Sequence, residues 1–265
     1  MYSMKVSTPI SYSPNFTSCT RVYKTIFCKY TRVPAVSTFT CLFRNDIGSD
    51  DPNGKGWLEF AKFLETNFAD KNTVNSYCLG CSDGTEVYSY SIALKETLSQ
   101  KEADKFFPIK AIDQDEEIIK TALQKRINLS YVDMERLKLI TPYWEKYFYK
   151  PSTQVNINGD LCTKNSVSYS ITPKMQSVVD FKQGDILSII RNIEDSGNTV
   201  LLCRNLFPYM TDSYQKNVLN IVIRKLKQGS IIALGNFDKD TYFKKALDKL
   251  DCFKEVKRNV YRKMF

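Results

Sequence analysis

The chain has 265 residues, enough for one large domain or a medium domain with a small appendage, and its 43% hydrophobic and 13% aromatic content argues against disorder. No apolar run approaches the ~20 residues of a membrane-spanning helix, and residues 1–15 lack the apolar core of a secretory signal, so a cytoplasmic protein without membrane insertion is expected. A net charge of +9 favours acidic partners, and the absence of histidine excludes Ser-His, Cys-His and histidine general-base catalysis.

Taken in chain order, residues 1–35 mix Tyr, Thr, Ser and Pro without helical periodicity and read as an extended N-terminal arm, leaving 36–265 as the main domain. Ser49 to Gly56 is a loop by its turn chemistry, and Trp57, Phe60, Ala61, Leu64 and Phe68 then space an amphipathic helix. From Ser76 onward strands and helices alternate. A strand over Ser76–Cys81 is followed by a glycine turn and a helix of about Glu86–Leu98. A second strand over Pro108–Ile112 precedes a helix of about Glu116–Arg126. Val178–Phe181 reads as a third strand and Thr199–Cys203 as a fourth, the latter apolar on both faces. A helix of about Asp212–Lys227 leads into a fifth strand, Ser230–Leu234, and Phe253–Met264 reads as a closing antiparallel hairpin. Residues 141–173 interrupt this rhythm with an aromatic cluster and an Asn158-Gly159 turn signal, and are expected to form a small inserted subdomain. Repeated βα units imply an α/β, Rossmann-like, seven-stranded doubly wound sheet closed by the hairpin.

Ligands of such sheets bind beyond the strand C-termini, where strand order reverses. The first strand ends in Gly80-Cys-Ser-Asp-Gly84-Thr-Glu86, a turn that is not the G-x-G-x-x-G of a dinucleotide site. A cofactor without a pyrophosphate, such as S-adenosylmethionine (SAM), does not need that cradle. Asp113 falls at the end of the second strand, where a carboxylate can accept both ribose hydroxyls; the alternative is capping of the next helix by Asp113 or Asp115. Asp185 and Ile186, past the third strand, are placed to meet an adenine amine and ring face. Cys78-Leu-Gly-Cys81 spells C-x-x-C, but no second pair and no histidine complete a zinc site, so no metal is expected and core packing is preferred over redox chemistry.

These residues carry a specific resemblance. Gly80 to Ser89 is similar to the S-x-G-E-E-P-Y-S turn of the CheR-type chemotaxis-receptor methyltransferases, and Cys203-Arg204-Asn205-Leu206-Phe207-Pro208-Tyr209 resembles their C-R-N segment. Thr38-Phe-Thr40-Cys-Leu-Phe43-Arg44 resembles their N-x-T-x-F-F-R lead segment, Ala111-Ile-Asp113-Gln-Asp115 their A-x-D-I-D, and Leu234-Gly235 the start of their G-H-S segment. The resemblance implies SAM as cofactor, with S-adenosylhomocysteine as product, and O-methylation of glutamate carboxylates on an acidic, chemoreceptor-like protein by a monomeric enzyme. It places Thr38, Thr40 and Arg44 at the methionyl end, Gly80 and Glu86 at the turn and Asp113 on the ribose. Asp185, Ile186, Arg204 and Asn205 complete the adenosyl pocket, and Tyr209 is a candidate for orienting the acceptor. A surface charge remains the alternative for Arg44, and packing or turn roles for Arg204, Asn205 and Tyr209. Thr38, Thr85, Val87 and Asn236 depart from the family pattern, and residues 1–34 do not read as its helical N-terminal domain. Other acceptors, nucleic acid or a small molecule, and a non-catalytic cofactor-binding module are the competing readings. Asn205-Leu-Phe-Pro-Tyr209 departs from the N/D-P-P-Y/F of amino-methylating nucleic-acid enzymes, and the dispersed Lys and Arg also weaken that reading.

Overall fold

A computed structural model describes residues 20–22, 32–34, 42–43, 47, 55–150, 167–193 and 198–265. Within the N-terminal stretch, β1 (Thr20–Val22) pairs antiparallel with β2 (Arg32–Pro34). The proposed arm, the Ser49–Gly56 loop and the Asn158-Gly159 turn otherwise lie mostly outside the described residues.

The main sheet is built from apolar runs that the sequence alternates with helices. Helix α1 (Lys55–Asn67) buries Trp57, Phe60, Ala61 and Leu64, the stripe expected from their spacing. Strand β3 (Asn75–Leu79), helices α2 (Thr85–Thr97) and α3 (Gln100–Asp104), strand β4 (Ile109–Asp113) and helix α4 (Glu116–Ala122) follow. Helix α4 ends earlier than its periodicity suggests, because Lys125 takes a left-handed φ of 58° and turns the chain into a new strand.

That strand, β5 (Arg126–Leu129), opens a small three-stranded antiparallel sheet with β6 (Phe148–Tyr149) and β7 (Val167–Ile171), in the order β5-β7-β6. Between β5 and β6 lies helix α5 (Tyr131–Ile140), started by a capping box in which Ser130 and Asp133 satisfy each other's backbone N–H groups. The small sheet is the inserted subdomain; its first strand lies upstream of residue 141.

The chain returns to the main sheet through α6 (Pro173–Gln176), β8 (Val179–Gln183) and α7 (Ile186–Arg191). Strand β9 (Thr199–Cys203), helix α8 (Asp212–Lys225), strand β10 (Ile231–Leu234), helix α9 (Tyr242–Leu247) and the hairpin of β11 (Phe253–Lys257) and β12 (Val260–Lys263) complete it. The seven strands run in the order β11-β12-β10-β9-β3-β4-β8; β8, β4, β3, β9 and β10 are parallel, and β12 and β11 close the sheet antiparallel. One apolar cluster joins α1 and α2 to one face, and another joins α7, α8 and α9 to the opposite face. The chain leaves β3 toward β4 and β8, then crosses back to β9 and β10, so the order reverses between β3 and β9. That reversal opens a crevice beyond the C-terminal ends of the strands.

Candidate functional site

The turn after β3 is shaped by backbone that only glycine adopts without strain. Gly80 has φ +73° and Gly84, directly before α2, has φ +89°. A Cβ on Gly84 would lie 2.8 Å from Phe181 Cζ, and one on Gly80 would lie 2.7 Å from Leu206 Cδ1. The N–H groups of Gly80 and Cys81 both donate to the Ile112 carbonyl, at 2.8 and 3.0 Å, strapping the turn to the end of β4. Gly84→Ala is therefore expected to cost about 1–3 kcal/mol of stability from the left-handed backbone and the Phe181 contact. Gly184→Ala, whose Cβ would find its nearest neighbour at 3.4 Å, should cost less than about 1 kcal/mol. Urea unfolding of the two variants compares them, and equal losses would contradict the strain assigned to Gly84.

Asp113 is the last residue of β4 and is half-buried. Its Oδ2 accepts the Ser82 N–H at 3.1 Å and its Oδ1 accepts the Asp115 N–H at 3.1 Å, with the Gln114 N–H a further backbone donor to the carboxylate. Burial pushes this carboxyl up from its ordinary range, while the N–H donors pull it back. The capping role falls to Asp115, whose Oδ1 accepts the Glu117 and Ile118 N–H groups at the start of α4. Of the two uses open to this A-x-D-x-D segment, helix capping is thus taken by Asp115. Among the described residues, Ser82 Oγ in the same turn is buried without a hydrogen-bond partner.

Glu86 and Arg204 come from strand ends 118 positions apart and meet in the crevice: Arg204 Nη1 donates to Glu86 Oε2 at 2.8 Å, and the guanidinium lies 4.8 Å from the Trp57 ring centre. Burial pushes the thiols of Cys78, Cys81 and Cys203 upward, and all three are free. A reactive C-x-x-C needs the opposite shift, so Cys78 and Cys81 serve packing here. Asp185 caps α7 by accepting the Ser188 N–H at 2.9 Å, and its other oxygen accepts the Tyr214 hydroxyl at 2.7 Å. Ile186 is buried at the start of the same helix. Asn205 has φ +55° and its Oδ1 accepts the Phe237 N–H at 3.0 Å, while Tyr209 ends a short 3-10 turn, Phe207–Tyr209.

One residue at this strand end carries no sequence signal. Asp238 is fully buried and accepts three backbone N–H groups, from Asn205 at 2.6 Å, Gly235 at 2.8 Å and Phe207 at 3.1 Å. Its carboxyl is pushed up to about 6, because the loss of water outweighs those donors and the nearby Arg204 charge. Asp238 therefore ties the loop after β9 to the loop after β10.

Thr38, Thr40 and Arg44 lie outside the described residues, but their neighbours Leu42 and Phe43 are fully buried. The Leu42 N–H donates to Asp133 Oδ1 and the Phe43 N–H to Ser89 Oγ, both at 2.9 Å. Of the other sequence-predicted residues, Gly80, Asp113, Asp185, Arg204 and Asn205 fall at or just past the C-terminal ends of β3, β4, β8 and β9, Glu86 and Ile186 lie in the first turns of α2 and α7, and Tyr209 lies in the turn after β9. Among the described residues no group of three or more Cys, Asp or Glu is arranged to hold a metal, and no helix is long and apolar enough to cross a membrane.

The family described as "CheR methyltransferase, SAM binding domain" matches residues 59–256. The chain belongs to this family. The match spans β3 to β11, every strand of the main sheet but the last, and makes SAM the cofactor of this CheR domain. No curated protein matches the chain. Solved structures that resemble it include WbdD, at 13% identity and TM-score 0.40 over 78% of this chain and 39% of that one. The plantazolicin methyltransferase BpumL in complex with SAH follows at 15% identity, TM-score 0.34, and 67% and 44% coverage. PKMT2 from Rickettsia typhi in complex with AdoHcy is 12% identical, with TM-score 0.34 and 62% and 21% coverage. The chain spans about two fifths of the WbdD chain that it matches.

Proposed function

We propose that the chain methylates side-chain carboxylates, with glutamates of an acidic, chemoreceptor-like protein as acceptors. One observation supports this reading: the segments Gly80 to Ser89, Ala111 to Asp115, Cys203 to Tyr209 and Leu234-Gly235, in the order of the CheR motifs, follow or end neighbouring strands β3, β4, β9 and β10 around the reversal point of the sheet, within the matched residues 59–256. The donor set fits SAM. A turn without Cβ atoms at Gly80 and Gly84, a partnerless Ser82 hydroxyl and a negatively charged strand-end acceptor at Asp113 suit an adenosyl group better than a pyrophosphate.

In this reading Asp113 accepts the ribose hydroxyls, and Ile186 lies at the adenine. Asp185 caps α7 and accepts the Tyr214 hydroxyl, one donor on each oxygen, and keeps acceptor sites for the adenine amine. Arg44, Thr38 and Thr40 hold the methionyl end, and Glu86 with Arg204 sets the charge beside it. Bound SAM supplies an electrophilic methyl group on a sulfonium. An ionised carboxylate needs no general base to accept it, so the protein's work is to align the acceptor and exclude water. A chain without histidine is suited to that task. Tyr209 and the loops tied by Asp238 border the acceptor side.

Asp113→Ala is expected to weaken SAM and S-adenosylhomocysteine binding by about 1.5–3 kcal/mol, roughly 10- to 150-fold in calorimetry. Asp115→Ala should cost helix stability while leaving affinity nearly unchanged. If the unsubstituted protein ignores both ligands, the cofactor site is misassigned. The acceptor is tested by labelled methyl transfer from SAM into acidic protein. A base-labile product supports a glutamyl ester, and a base-stable product points to a nitrogen acceptor instead.

A further inference from the structure

We infer that Tyr214, in the first turn of α8, is a positioning residue that aims the Asp185 carboxylate at the adenine amine and so contributes to selection of the base. The inference rests on the proposed reading that Asp185 and Ile186 meet the adenine. The segment leading to Asp185 is tied to the residue that the same reading gives to the ribose. Gln183 lies opposite Asp113 in the β4–β8 register, and the Gly184 N–H donates to the Asp113 carbonyl at 2.9 Å. Asp113 and Asp185 thus stand on neighbouring strand ends held together, as the two parts of one nucleoside require. An N-cap needs only one side-chain oxygen, and Asp185 Oδ2 fills that task by accepting the Ser188 N–H at 2.9 Å. Its Oδ1 has a different partner, the Tyr214 hydroxyl, which donates at 2.7 Å across 29 positions.

The phenol is itself held in place. Tyr214 is 4% exposed, its N–H donates to Thr211 Oγ1 at 3.3 Å, and its hydroxyl oxygen accepts the Leu187 N–H. Burial and the bond to Asp185 hold the phenol above its ordinary range, so it stays a donor. The next residue, Gln215, fixes this turn of α8 to the loop after β9. Its Nε2 donates to the carbonyls of Phe207 and Met210, at 3.0 and 2.9 Å, and its Oε1 accepts the Phe243 N–H at 2.9 Å. The hydroxyl that meets Asp185 is therefore referenced to the loop of Arg204 and Asn205, on the other side of the reversal. With one donor on each oxygen, the Asp185 carboxylate cannot turn about its Cβ–Cγ bond, and its remaining acceptor sites keep fixed directions. A 6-amino group can donate to a carboxylate held in this way. A 6-oxo group turns a lone pair toward it and is rejected.

The test compares calorimetric binding of S-adenosylhomocysteine and S-inosylhomocysteine, which carries a 6-oxo group and an N1 proton where the adenosyl ligand has the amine. The parent protein is expected to prefer the adenosyl ligand at least about tenfold. Tyr214→Phe keeps the buried ring and removes only the hydroxyl. It should weaken the adenosyl ligand about 3- to 10-fold and leave the inosyl ligand within about twofold. Asp185→Asn keeps a good N-cap but offers an amide that also donates, so the preference should vanish. Added to Asp185→Asn, Tyr214→Phe should change the ratio little, because both act on one contact. Val218→Ala, a buried truncation one turn further along α8, loosens packing alone and should leave the ratio of the two affinities unchanged. That ratio does not depend on the fraction folded, which scales both affinities equally, so partial unfolding of Tyr214→Phe cannot imitate the result. Equal weakening of both ligands by Tyr214→Phe overturns the positioning role. A parent protein without the preference, or an Asp185→Asn variant that keeps it, sinks the adenine assignment and the inference with it. Loss of the preference in Asp185→Asn but not in Tyr214→Phe overturns the inference alone.

Discussion

Replacing Glu86 by alanine is expected to destabilise the fold by up to about 3–5 kcal/mol, the range for removing one member of a buried ion pair. The Arg204 side chain is 1% exposed and that of Glu86 22%, so the cation cannot recover its hydration by a small movement. The face of Trp57 stays beneath the guanidinium, but a cation–π contact is worth only ~0.5–2 kcal/mol and does not replace an ion pair at 2.8 Å. Removing both charges together should behave differently. In Glu86→Leu/Arg204→Met neither member of the pair remains to be desolvated, and much of the stability should return, less what Asp238 loses with the neighbouring Arg204 charge. If the pair also sets the charge at the methionyl end, the double variant will fold but bind SAM poorly. Urea unfolding and SAM calorimetry on the two variants separate the roles. A loss below about 1 kcal/mol in Glu86→Ala, the size of an exposed pair, would contradict the burial argument.

How far the sequence reveals these contacts depends on how local they are. Strand β9 matches its expected range because Thr199 and four consecutive apolar residues form a short, fully buried run, and β3, β4, β8 and β10 shift by one or two residues at their ends. Helix α5 escapes the periodicity because Tyr131, Val132 and Leu139 are exposed and scramble its apolar face, although Ser130-x-x-Asp133 was a readable capping box. Strand β5 is lost for a related reason: four alternating residues at the end of a helical pattern look like its last turn. At the site, Gly84 and Asp113 are legible because turn chemistry and strand position are local properties. The facing of Glu86 and Arg204 is not, since only the order β9-β3 brings them together. Asp185 has a place past a strand end that the sequence shows, but its bonds to the start of α7 and to Tyr214 are not legible there.

Asp238 is the clearest case of a role that exists only in three dimensions, and its loss should be as costly as that of Glu86. Asp238→Ala leaves the N–H groups of Asn205, Phe207 and Gly235 facing a space without an acceptor, and each unsatisfied buried donor costs about 1–3 kcal/mol. A loss of at least about 3 kcal/mol is expected. Asp238→Asn keeps one acceptor and isolates the charge, which gives a pH signature. The folded carboxyl titrates at about 6, above the ~3.9 of an unfolded aspartate, so the folded state binds the proton more tightly. Its contribution to stability is full below ~3.9 and is lost as pH rises through about 6. Between pH 5 and 7.5 that loss is about 1.4 kcal/mol, and the asparagine variant does not share it. The gap in unfolding free energy between the parent protein and Asp238→Asn should therefore narrow by this amount as pH rises over that interval. A gap that stays constant, or widens, would mean that the three donors and Arg204 hold the carboxylate more strongly than burial opposes it. The tie between the two strand-end loops would then be a stabilising charge instead of one tolerated for the order it imposes on the acceptor side.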